Sequence, residues 1–239
     1  MILLGFVGES AADFRTGSRL VDRVLVDQID WVTEEVLQDY RAWGGAEAGE
    51  QMLHWRTVDR LATQRKVRAH GHFGGAPGLP DARAARKALL LFAGLSARPE
   101  AVLLVRDTDG DQTRKQGLAQ ARDTVTWPFR VVIGAAHTKR ECWVLAGFQA
   151  QDEDEEVLLA NEREALGFDP CTCAHALTAR HDADKRSAKR VVSALTGGDA
   201  VREDSCLEVE LDLLRERGGG TGLADFLGEV VDRVVPLLR

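Results

Sequence analysis

Long apolar runs are missing. The most apolar stretches, ILLGFV at positions 2–7 and AVLLV at 101–105, are a handful of residues each, far short of the roughly 20 that a membrane-spanning helix needs. The opening MILLGFVGES also carries no basic segment ahead of its apolar residues, so the sequence predicts neither a signal peptide nor a membrane span. Cysteine is scarce. Cys142, Cys171, Cys173 and Cys206 do not form the even framework of a small disulfide-stapled chain, which predicts reduced thiols and a cytoplasmic location. Positive charge is in deficit: 31 Lys and Arg against 38 Asp and Glu give a net charge of −7. That excludes a protein that coats nucleic acid by bulk charge, because such binders need a basic face to displace counterions from phosphate. Only local basic patches remain, at Arg56–His70 and Arg180–Arg190.

With 44% hydrophobic and 29% charged residues over 239 positions, the composition is that of a folded chain with one substantial α/β core and an extension. ILLGFV running into Gly8-Glu9-Ser10 reads as a buried strand opening into a loop. Leu20, Val21, Val24, Leu25, Ile29, Val32 and Val36 recur at three- and four-residue spacing, which predicts one or two amphipathic helices. The Gly- and Pro-rich segment at 71–81 predicts a loop. Beyond it a helix at 82–95, a strand AVLLV, a helix at 113–123 and a strand FRVVI at 129–133 alternate. Helices between buried strands predict a mostly parallel α/β sheet sandwiched by helices. After Gln149 an acidic run, helical stretches, a basic helix at 184–195 and a final apolar-faced helix at 223–238 follow. The expected organisation is a core over 1–150 and a mainly helical part over 151–239, its last helix docked on the core.

In VRDTDGD, Asp107, Asp109 and Asp111 stand at every second position after a buried strand. Ligands of parallel sheets collect beyond the carboxyl ends of the strands, where Glu9 also falls. Several carboxylates close together resist full ionisation without a cation, and Mg²⁺ is the oxygen-seeking ion that one or two of them would hold with a phosphate. The competing reading is a turn, since Asp-Gly tolerates left-handed backbone and Asp caps a following helix. A calcium loop fits less well, because the twelfth residue from Asp107 is Leu118, not glutamate. Cys171-Thr-Cys173-Ala-His175 invites a zinc reading, but its spacing lacks a second ligand pair.

The pairing of FVGES with VLLVRDTDGD resembles the Toprim fold of topoisomerases, primases and OLD-type nucleases. HTKRECWVLAGF (137–148), DADKRSAKRVVSAL and GLADFLGEVVDRVVPLL resemble elements of small Toprim-like proteins associated with bacterial defence systems. The resemblance implies a Rossmann-like core and a Mg²⁺- or Mn²⁺-dependent phosphodiesterase acting on DNA or RNA. It implies metal ligands at Glu9, Asp107, Asp109 and Asp111. Glu9 doubles as general base, Glu141 supports a second metal site or orients a neighbouring cation, and Lys139 neutralises charge on the phosphate. The one tyrosine, Tyr40, lies outside the matching motifs, which argues against strand passage, and no G-x-x-x-x-G-K-[ST] motif occurs. Any ATPase would therefore be a separate partner, and the alternative to a nuclease is a non-catalytic subunit of such a complex.

Overall fold

The computed structural model describes all 239 residues. The chain is an α/β protein with a mostly parallel central sheet flanked by helices, a Rossmann-like arrangement, followed by C-terminal helices. In order, the first half comprises β1 (Ile2–Gly8), α1 (Ala11–Gln28), α2 (Glu34–Tyr40), β2 (Arg41–Gly44), β3 (Leu53–His54), α3 (Val58–Gln64), β4 (His72–Phe73), β5 (Ala76–Pro77), α4 (Ala82–Ala93) and β6 (Ala101–Asp107). The second half comprises α5 (Thr113–Asp123), β7 (Arg130–Ala136), α6 (Glu141–Gly147), α7 (Glu153–Leu166), α8 (Ala188–Thr196), α9 (Ala200–Cys206), α10 (Leu211–Gly218) and α11 (Leu223–Arg233).

The sheet order is β2-β1-β6-β7, with β3 also on β1. Strand β1 pairs in parallel with β2, β3 and β6, in a register that sets Val7 opposite Leu104. Hydrogen bonds from Arg130 N to Glu100 O and from Thr108 N to Ala136 O advance together along the chain, so β7 is parallel to β6. After β1 the chain turns to one side to make β2, then returns to the other side for β6. The crevice between β1 and β6 is thus the point where the topology reverses, and both strands are buried, as a sheet covered on two faces requires.

The chain divides into two compact units, one made of 1–106, 112–135 and 226–239, the other of 107–111 and 136–225. This differs from the expected cut after residue 150. The last helix, from Phe226 on, belongs to the sheet-bearing unit, whereas the segment after β7 belongs with the helices that follow it. In the first unit, α1 starts on a capping box in which Ser10 and Asp13 bond each other's backbone amides. It reaches β1 closely because Gly17 carries no side chain: a Cβ there would stand 2.8 Å from the Phe6 ring. Phe6, Phe14 and Trp43 meet edge-on beside it. A further core lies among Leu53, Leu61, Leu89, Phe92, Leu104 and Ile133. The Gly/Pro segment contains the small antiparallel pair β4–β5. The second unit has its own core, in which Cys142, Leu145, Phe148, Val191 and Leu195 pack together. The predicted basic helix starts at Ala188 behind a Ser187 cap, leaving Lys185 and Arg186 ahead of it. The final helix ends at Arg233, where Pro236 forces a short 3₁₀ turn.

Candidate functional site

The three aspartates sit on a turn whose shape the sequence dictates. Asp109 has φ +49° and Gly110 φ +84°, and Asp111 N donates to Thr108 O at 2.8 Å. Two consecutive left-handed residues are what Asp-Gly tolerates at little cost, so the turn reading of Asp109 holds. The turn is locked on the segment after β7, within the second unit. Thr108 N donates to Ala136 O, Asp109 N to Thr138 O at 2.9 Å, and Arg140 N to Asp107 Oδ1 at 2.8 Å. Asp107, the last residue of β6, is thereby fixed in orientation.

Thr108, which is buried, shares a 2.8 Å hydrogen bond with Nδ1 of His137. Burial, and then the nearby His175, push the His137 imidazole below its ordinary pKa, so the ring is neutral near pH 7 and able to take a proton. His137 N is itself held by Thr221 O. Lys139 brings its ammonium to 3.5 Å from Asp182, which also meets Lys189 at 3.4 Å.

Glu141 stands beside a neighbouring cation. It is buried, and its carboxylate meets Arg140 at 3.1 Å; the same guanidinium reaches Glu203 at 3.0 Å. Arg140 is itself buried. Glu141 thus orients a neighbouring cation, one of the two roles expected of it. In the first unit Glu9 also faces an arginine: its Oε1 lies 3.0 Å from Nη1 of Arg106. Asp81 holds the other edge of that guanidinium at 3.1 and 3.3 Å. Arg106 and Asp81 were not among the residues singled out from sequence. The signal for Arg106 was a charge at the end of an apolar strand, where the run AVLLV stops.

The donors of the turn suit magnesium in kind. Carboxylate oxygens are its preferred ligands, and a carboxylate that accepts a backbone amide, as Asp107 Oδ1 does, is still of the kind that ligates a metal. No group of three or more His, Cys, Asp or Glu side chains stands where it could hold a metal ion by itself. The residues therefore fit the mode in which one or two carboxylates bind the ion together with a substrate phosphate, and Asp107 and Asp109 are the ones that would do so. Cys171 is buried, and burial pushes its thiol up to about 12. No helix is long and apolar enough to cross a membrane. Compared with models of protein families, with curated proteins and with solved structures, the chain matches none.

Proposed function

We propose that the chain is a metal-dependent phosphodiesterase of the Toprim kind, cutting DNA or RNA at the 107–111 turn. The observation that carries this reading is the placement of Asp107 and Asp109 on a rigid turn at the carboxyl end of a parallel strand, cross-bonded to the segment bearing Lys139. Magnesium, when bound, supplies Lewis-acid polarisation of the phosphate and charge neutralisation. The chain's own part is positional and electrostatic. Asp107 is held by the Arg140 amide so that it need not reorganise during the reaction, and the Lys139 ammonium opposes the charge that grows on phosphate oxygens in the transition state. Neutral His137 accepts or returns a proton at the same turn.

A second reading, a non-catalytic partner of a separate ATPase, is favoured by one specific observation. Glu9, which the resemblance makes a metal ligand and general base, faces an arginine instead. One experiment separates the two. Purified protein is incubated with plasmid and with transfer RNA in Mg²⁺ or Mn²⁺, beside Asp107→Asn and Lys139→Ala. Asp107→Asn is expected to reduce cleavage by at least about a hundredfold, the scale of losing a principal electrostatic contact. Cleavage that survives the substitution removes the mechanism, and cleavage that begins only when an ATPase is supplied supports the second reading.

A further inference from the structure

A cavity of about 370 Å³ opens in the first unit, lined by Glu9, Trp55, Arg56, Asp81, Ala84 and Arg106. Its lining comes from the carboxyl ends of β1, β3 and β6 and from α4, at the crevice where the strand order reverses. Open α/β sheets take their small ligands at that point, and the volume falls in the range of small-molecule sites.

The charges around the cavity select the sign of the ligand. Arg106 is gripped on one edge by Asp81, in two hydrogen bonds, and on the other by Glu9. Arg114 approaches Asp81 at 3.6 Å. Arg56 is exposed and engages no carboxylate. The two guanidiniums and two carboxylates that line the cavity cancel in number, but both carboxylates face Arg106, which leaves Arg56 as the open cation in a chain whose net charge is −7. The two acids are held unequally. The side chain of Asp81 is 15% exposed and fixed in two bonds, whereas that of Glu9 is 39% exposed. An exposed ion pair in water is weak and easily replaced, so Glu9 is the partner that an incoming anion displaces from Nη1. Trp55 supplies a fixed wall. Its indole N–H donates to Val105 O at 2.7 Å, and with Ala84 it gives the cavity an apolar side.

We propose that this crevice binds a small organic phosphate of nucleoside-monophosphate size. Its phosphoryl group lies on Arg56 and on Nη1 of Arg106 in place of the Glu9 carboxylate, and its organic part lies against Trp55 and Ala84. Guanidinium forks are suited to phosphate oxygens, which they bind by two parallel hydrogen bonds. No metal is needed, and the site stands apart from the phosphodiesterase reading.

The test is titration calorimetry of the full chain in EDTA with AMP, with inorganic phosphate and with adenosine. AMP is expected to bind, phosphate to bind more weakly, and adenosine to give no heat. Arg56→Ala should weaken AMP by about tenfold, the scale of a lost charge-assisted contact. Glu9→Gln should tighten it severalfold, because the competing carboxylate is neutralised, an effect that a merely structural glutamate would not produce. Both side chains are exposed, so both variants can be expected to fold, which circular dichroism checks. Absence of AMP binding, or an AMP affinity untouched by both substitutions, overturns the proposal; equal affinity for phosphate and AMP overturns the role of the Trp55 wall. Cleavage that survives Asp107→Asn while AMP still binds fails the phosphodiesterase reading alone, and cleavage lost in Asp107→Asn by a chain that binds no AMP fails this proposal alone.

Discussion

Arg106 in the first unit and Arg140 in the second are each held between two carboxylates, and these two triads differ in how much water reaches them. In the second unit Arg140 is 8% exposed and its partners Glu141 and Glu203 are 10% and 16% exposed. In the first, Arg106 is 19% exposed, and Glu9, at 39%, faces solvent. Removing charges from water is expensive, so a buried triad persists only while every member is paired; a half-exposed triad can exchange a partner with solvent or a ligand at small cost. An arginine between two carboxylates therefore makes a structural bolt in one place and a changeable contact in the other.

The largest effect expected from this difference is at Arg140. Arg140→Met removes the cation that Glu141 and Glu203 share and leaves two poorly hydrated carboxylates facing each other. Stability should fall by about 3–5 kcal/mol, read as a lowered urea midpoint. A midpoint close to that of the unchanged chain would mean that water or another cation already solvates the pair, and the contrast with Arg106 would disappear.

The intermediate test compares the acids directly. Glu141→Gln keeps the shape but removes the charge facing buried Arg140, and should cost about 1–3 kcal/mol. Glu9→Gln, on an exposed pair, should change stability by about 0–1 kcal/mol. Denaturation of the two variants side by side checks the ordering, and equal losses would break the comparison.

Much of the fold was legible because it was written in local periodicity. The buried run ILLGFV became β1, AVLLV became β6, and the helix predicted over 113–123 has those bounds. Strands β2 and β3 were not legible. RAWG and LH are too short for any alternation to register, and only pairing with β1 makes them strands. The site was legible in part. Asp-Gly announced the turn, but Asp107's partner is a backbone amide 33 residues on, which spacing does not encode. Asp81 stands where a helix cap is expected, directly before α4. Instead it makes no capping bond, adopts φ +64° and turns its carboxylate to Arg106, 25 residues away. Charge pairing across such separations is a product of packing, which is why the Arg106 triad, and the part of Glu203 in the other, escaped notice.

The smallest expected effect concerns acid. The second unit also keeps His137 partly out of water, bonded to Thr108 and near His175. Its pKa in the folded chain is below the ordinary 6.5, chiefly through burial, so between that lowered value and 6.5 the unfolded chain binds the proton more readily. The stability that the neutral ring contributes is complete above 6.5, and it is lost as the pH falls toward the folded value. Urea midpoints at about pH 7.5 and about pH 5 should therefore fall further for the unchanged chain than for His137→Gln, which cannot titrate in that window. Equal falls would mean that the ring is already well hydrated in the folded chain, and that the drier character of the second unit stops at Arg140 and its two acids.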